Sequence, residues 1–354
     1  MILWLAPMDW FTDCVYRYIT QWVFDTYNKN PDHTLWLRTE FMSADWYIRQ
    51  PQRLVKHLIY CTDQATPYAQ IYWWQAESLC QTAQDIDKKY PDFLGVELNI
   101  WCPSPRIMKC EAWALMMKDK QKTLDIIKRL RDISSKKFTI KTRIWLFEED
   151  IQEQMQFIVD ASEFCDIISV HGRTFKQSHS GFVRREEMYE LKRTIRQECL
   201  FLWNWGLTSY EDCLDKLWNL DWVMVAQAAI WNPWIFVPHE PTPQDRYDVI
   251  KKHLEMFAWY ELYVQDHVMH GADNPETYLF PMPTSHELIL REKNMTDQEC
   301  EELYCPVEFR KHVFSYLKTL TWSKECKIEI ASITSYKKLH EVIKNYFASL
   351  GCSV

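Results

Sequence analysis

Glycine is scarce in this chain of 354 residues: it occurs 6 times, against 18 tryptophans. A globular chain of this size carries about 7% glycine, roughly 25 residues. Together the two counts restore that figure almost completely. Other absences exclude whole classes. No apolar run approaches the roughly 18 residues that span a bilayer. The opening MILWLAPMDWF has no basic flank and no small-residue cleavage site, so it reads as a strand rather than a signal peptide. None of the 12 cysteines forms a CxxC pair, which suits small buried hydrophobes in a reducing cytosol better than a disulfide framework. The net charge of −8 argues against a generally nucleic-acid-coating surface. It leaves room for a local basic face, drawn from runs such as Lys251-Lys252, Arg310-Lys311-His312 and Lys337-Lys338, although each also reads as a solvated helix face.

What is present is an alternation. Short apolar runs (2–6, 35–41, 68–72, 96–100, 138–143, 167–170, 200–202 and 223–226) are separated by helix-period segments at 76–90, 122–133, 148–162, 185–198 and 209–217. About eight strand-helix units, one every 30 residues or so, predict an α/β fold, a parallel (β/α)8 TIM barrel, over residues 1–240. An open doubly wound sheet would want fewer strands and an early GxGxxG, and there is none. After the proline-rich Pro238-His239-Glu240-Pro241-Thr242-Pro243 the pattern turns helical, at 244–264, 306–320 and 335–350. This predicts a small C-terminal helical domain over 241–354, with an irregular insertion near 266–305 and a capped helix at Thr296-x-x-Glu299.

Active sites of such barrels lie at the C-terminal strand ends. The residues there are Pro7 and Met8, Glu40, Gln70, Asn99 and Cys102, Lys141 and Arg143, His171 and Arg173, Asn204, then Ala226 and Gln227. Unpaired polar groups cost free energy when buried, so a purely structural barrel has no reason to collect them on one rim. Lys141 needs an anionic or electron-rich partner; His171 can donate to a ring or phosphate, and Arg173 can grip a carboxylate, phosphate or carbonyl. Internal ion pairs with Glu40 or Glu97 are the alternative, and both readings stay open. Cys102 lies in a loop stiffened by Pro103, where a thiol of pKa about 8.5 can serve as proton donor or nucleophile. His267-x-x-His270 with Cys300 and Cys305 matches no established zinc spacing, so no metal is expected.

The segments LAPMDWFTD, TEF, QIYWWQAESL, VELNIWCPSP, TIKTRIW, ISVHGRT, NWGL, WVMVAQAAIWNPWIF and FRKHVFSYLK together resemble the transfer-RNA dihydrouridine synthases, in order and spacing, over nearly the whole chain. The resemblance implies an FMN-holding barrel, a helical domain that helps grip tRNA, and NADPH or NADH as reductant. On it, Pro7, Met8, Asp9, Gln70, Lys141, His171, Asn204, Trp205, Gly206, Ala226 and Gln227 fall on cofactor positions, Asn99 and Arg173 on substrate positions, and Cys102 on the proton donor. The implied reaction is reduction of a tRNA uridine to 5,6-dihydrouridine by a cytoplasmic, monomeric enzyme. A non-catalytic RNA-binding relative and a flavin barrel acting on a small molecule are the alternatives. Where the family has Gly-Arg on the flavin phosphate this chain has Ala226-Gln227, so backbone N–H groups and helix N-termini must hold the phosphate.

A second departure concerns tryptophan. Trp10, Trp73, Trp101, Trp113, Trp145, Trp205, Trp218, Trp222 and Trp231 stand where the family pattern has glycine, whereas Trp234 stands where it has tryptophan. An indole at a turn or cofactor loop strains the backbone and fills the cofactor's volume. The one-way substitution predicts a gene in which UGA specifies glycine, written here as tryptophan. The chain as written is then expected to bind FMN weakly or not at all.

Overall fold

The computed structural model describes residues 1–62, 64–100, 116, 119–145, 151–174, 184–204, 206–264, 279–280 and 305–354. Their strands are β1 (Ile2–Leu5), β2 (Thr34–Trp36), β3 (Arg38–Ser43), β4 (Tyr60–Cys61), β5 (Tyr68–Tyr72), β6 (Gly95–Asn99), β7 (Lys137–Trp145), β8 (Ile167–Thr174), β9 (Leu200–Asn204), β10 (Trp222–Val225) and β11 (Leu279–Phe280). Nine of them form one parallel sheet, in the order β2-β1-β10-β9-β8-β7-β6-β5-β3. β2 and β3 are halves of one run parted only by Leu37. The first half pairs with β1 and the second with β5, so the sheet closes with eight staves. This is the expected (β/α)8 barrel.

The helices between the staves form for ordinary reasons. Ala76–Lys89 buries Leu79, Thr82, Ala83 and Ile86, and Lys120–Ile133 buries Thr123, Ile126, Ile127 and Leu130, a spacing of three and four in each case. The second is capped by Asp119, whose carboxylate accepts the Lys122 N–H at 3.0 Å. Each fully buried aliphatic side chain contributes about 1.5–3 kcal/mol. The helix Arg185–Thr194 stops four residues before its sequence pattern does. Arg196 beyond it is anchored instead, donating to the carbonyls of Ser162 and Cys165 at 3.0 and 2.9 Å.

Strand periodicity fills the barrel in layers. At its N-terminal end Trp4, Trp36, Tyr68 and Trp222 pack ring on ring, with centroids 4.9–5.9 Å apart. Above them the Arg38 guanidinium lies 3.9 Å from the Trp4 ring and 2.7 Å from Glu97, and donates to Ser169 Oγ at 3.1 Å. Thr139 Oγ1 donates to the same Glu97 oxygen, Oε2, at 3.1 Å. Gly95 allows β6 and β7 to approach: a Cβ there would lie 1.9 Å from the Lys137 carbonyl oxygen.

Contacts divide the chain into two compact units. Met1–Thr12, Asn30–Leu58 and Ala65–Ala226 form the first, which holds the whole barrel sheet; Asp13–Lys29, Ile59–Gln64 and Gln227–Val354 form the second. In the second, Pro243–Tyr263 is a long helix opened by a capping box between Thr242 and Asp245. Cys305–Tyr316, Ser323–Ile330 and Tyr336–Ser349 complete its C-terminal helices. Ser323–Ile330 has no counterpart in the sequence reading, because only Cys326 and Ile330 face inward and its other positions are largely charged. The capped helix expected at Thr296 and the His267, His270 and Cys300 positions lie outside the described residues. No described helix is long and apolar enough to cross a membrane. Of the eight cysteines whose side chains are described, six are buried and all eight are free thiols, as expected of small hydrophobes.

Candidate active site

Register places the rim residues side by side. Asn99 lies opposite Lys141, and Lys141 opposite Ser169; one step further along the strands Arg143, His171, Asn204 and Met224 are consecutive neighbours. Thr139 and Ser169 reach Glu97 and Arg38 inside the barrel, so alternation turns Lys141, Arg143 and His171 to the same inner side, while Arg173 lies past His171 where the β7–β8 register shifts. Gln70, Asn99, Arg143, His171, Arg173 and Asn204 are all buried, and Lys141 is half-buried. Burial pulls the Arg173 guanidinium below its ordinary pKa.

These side chains are held from beneath. Gln70 donates to Glu97 at 2.5 Å and accepts from Asn99 Nδ2 at 3.2 Å, which fixes both amides. Asn204 donates to the Met224 carbonyl at 3.1 Å. Past β1, the Met8 carbonyl accepts the Phe11 and Thr12 N–H groups at 3.0 Å, and its own N–H donates to Thr12 Oγ1 at 2.9 Å, so Pro7, Met8 and Asp9 lead into a tight turn. The Trp10 N–H donates to Glu40 at 2.6 Å.

Two sequence expectations need correction. Glu97, offered as an ion-pair partner for the rim cations, is engaged by Arg38 at 2.7 Å instead, while Glu40 meets His57 at 3.2 Å. The sequence reading missed Arg38, although a cation and a carboxylate on the inner faces of barrel strands, among aromatics, was a legible sign. The run Arg310-Lys311-His312 is also not a solvent-facing basic patch. His312 is fully buried and stacked on Tyr16 with centroids 5.5 Å apart, and Arg310 donates to the Ile333 carbonyl.

In the second unit Asp13, His253 and His312 bring ligand atoms within 4.8 Å of one another. The Lys311 ammonium stands 4.0 Å from the Asp13 oxygen that His312 approaches at 3.3 Å, and the other Asp13 oxygen accepts the Tyr16 N–H at 2.9 Å. These contacts already supply the carboxylate with cations and a cap, so the group reads as a buried ionic cluster.

Ala226 is half-buried beyond β10, and the exposed Gln227 opens a helix of five residues, Gln227–Trp231. Gly206 has φ 74°, a conformation that favours glycine. Cys102 and Trp205 lie outside the described residues.

A closed (β/α)8 barrel with buried amides, an imidazole and three cationic side chains on the C-terminal ends of its strands has the layout of a barrel enzyme. Residues 4–349 match the protein family described as dihydrouridine synthase (Dus), and the chain belongs to that family. It is 31% identical over 153 residues to a tRNA-dihydrouridine(20/20a) synthase of Escherichia coli (strain K12), covering 40% of this chain and 44% of that one. It is 25% identical to the proteins of that name from Vibrio vulnificus (strain CMCP6), over 50% of this chain and 57% of that one, and from Synechocystis sp. (strain ATCC 27184 / PCC 6803 / Kazusa), over 50% and 55%. The chain thus spans about half the length of the curated relatives it matches.

Proposed function

We propose that this protein reduces uridine in tRNA to 5,6-dihydrouridine, with FMN as prosthetic group and NADPH or NADH as reductant. The carrying observation is the inward-facing rim formed by Gln70, Asn99, Lys141, His171 and Asn204. Its chemistry fits a flavin: amide, ammonium and imidazole groups match the carbonyl and ring-nitrogen edge of an isoalloxazine. Pro7, Met8 and Asp9, Trp205 and Gly206, and Ala226 with Gln227 would complete the cofactor contacts. When bound and reduced, FMN supplies the hydride for uridine C6. Lys141 steadies the electron-rich ring by charge, and Gln70 is held in place by Glu97 beneath it. Asn99 and Arg173 orient the uracil, which must leave its stack to reach the pocket. The Cys102 thiol gives its proton to C5.

Residues 241–354 would grip the tRNA. In support, Lys251, Lys337, Lys338 and Lys344 are exposed. Burial, then the charges of Lys251 and Lys344, lower the His340 pKa, as a cationic cluster does. With tRNA as substrate the monomer would work in the cytoplasm.

The test is made on protein purified from its own cells. Stoichiometric flavin absorbance and conversion of uridine to dihydrouridine in added tRNA are expected, and Cys102→Ala should keep the flavin while turnover falls by about 10²–10⁴-fold. Full activity of the Cys102→Ala protein would exclude Cys102 as the acid, and flavin-free protein would exclude the cofactor assignment.

A further inference from the structure

Six described residues have a left-handed backbone. Two are glycines, Gly206 and Gly351, at φ 74° and 81°. Of the four others, three are tryptophans: Trp10 at φ 71°, Trp218 at φ 30° and Trp322 at φ 53°; the fourth is Thr319. Asn and Asp are the non-glycine residues that tolerate this region, and a bulky side chain there is an outlier, because its Cβ meets the following carbonyl. Tryptophan makes up only 18 of 354 residues, so its hold on three of four such positions is not chance.

We propose that the working chain carries glycine at positions 10, 218 and 322. The inference rests on backbone geometry and side-chain exposure, and it is independent of the reaction proposed above. Position 322 extends it beyond the positions that the family pattern marks.

Side-chain environment sets the same three residues apart from the core tryptophans, although Trp46, 53% exposed on helical backbone, shows that exposure alone does not mark them. Trp4, Trp203 and Trp234 are buried on ordinary backbone and act as core hydrophobes. Trp10, Trp218 and Trp322 are 54%, 64% and 69% exposed. Trp322 starts the helix Ser323–Ile330 but gives it no side-chain hydrogen bond, and its φ of 53° and ψ of 19° make it a bend that glycine forms without strain. Trp218 lies in the turn between the helix Tyr210–Asp215 and β10, where its ring meets Tyr189, 4.6 Å between centroids, and the Arg193 guanidinium at 5.3 Å.

Position 10 bears on the site. It follows Pro7-Met8-Asp9 at the end of β1, and its N–H, which glycine shares, ties this turn to Glu40 of β3 at 2.6 Å. Glycine keeps that bond and removes an indole from the turn. Residue 10 is therefore a positioning residue that acts through its backbone. At Trp73, Trp145, Trp222 and Trp231 the backbone is not left-handed, so geometry does not decide those positions.

Two measurements test this. Peptide mass spectrometry of the protein from its own cells should find glycine at 10, 218 and 322, encoded by UGA. Tryptophan encoded by UGG at any of the three overturns the assignment there. Separately, the recombinant chain is made as triple Trp→Gly and triple Trp→Ala variants at these positions. Both remove the indoles, but only alanine keeps the Cβ. The glycine triple should have an unfolding constant lower by roughly fivefold or more per position, whereas at Trp46, exposed in the helix Ala44–Arg49, alanine should be the better residue. Glycine no more stable than alanine at all three positions would overturn the backbone argument. Neither readout depends on flavin or tRNA, so their failure is distinct from failure of the proposed reaction.

Discussion

The guanidinium of Arg38 and the carboxylate of Glu97 meet at 2.7 Å inside the barrel, and neither side chain is exposed. Glu97 also takes the Gln70 amide, so this pair links the barrel's interior to its rim. Removing one partner leaves a buried charge uncompensated. Glu97→Gln should therefore lose about 3–5 kcal/mol of stability by urea denaturation, while the double change Arg38→Met with Glu97→Leu should lose much less. Equal losses in the two proteins would show that packing, not charge, holds this layer.

Gly95 gives a second prediction. With a Cβ placed 1.9 Å from a backbone oxygen of the neighbouring strand, no side-chain rotation relieves the contact. Gly95→Ala should cost about 3 kcal/mol or prevent folding, seen as a lowered denaturant midpoint or insoluble expression.

Acid should weaken the fold in two stages. Burial, then the His312 charge, push the His253 pKa well below its ordinary value. His253 thus stays neutral when folded, and stability falls as the pH drops below about 6.5, where the unfolded chain binds the proton. At Asp13 burial acts upward, but the His312 hydrogen bond and charge, with the Lys311 charge, overcome it and hold the carboxyl well below the usual range. Its contribution is present above about pH 4 and is lost as the pH falls further. Tyr16, Tyr316 and Cys14, the other titratable groups beside this cluster, have pKa values raised chiefly by burial and stay neutral throughout. Melting temperatures from pH 8 to pH 3 read both stages. Asp13→Asn keeps an oxygen for the Tyr16 cap, and it should flatten the lower stage while costing about 3 kcal/mol at neutral pH.

The rim is tested one residue at a time. Lys141→Ala and His171→Ala should each lower flavin occupancy, read from the absorbance of purified protein, by about tenfold or more, the equivalent of one lost charged hydrogen bond. Unchanged occupancy in both would remove them from the cofactor contacts.

Much of the barrel was legible because strand alternation and helix period are local patterns. All eight strand runs read from the sequence lie on staves, and their polar ends share one rim. The partners of those ends were not legible. That Glu97 binds Arg38 rather than Lys141, and that Arg310-Lys311-His312 turns inward, depends on contacts between residues far apart in the chain.

The amino-acid order by itself determined the strand and helix units, the inward or outward parity of each strand residue, and the shortage of glycine, since each is a property of near neighbours. Tertiary structure decided which unit the helix Cys14–Tyr27 joins, which charges neutralise each other in the core, and which tryptophans sit on left-handed backbone. Those depend on closure of the barrel and packing of distant segments, where burial makes every unpaired charge costly and every added Cβ felt.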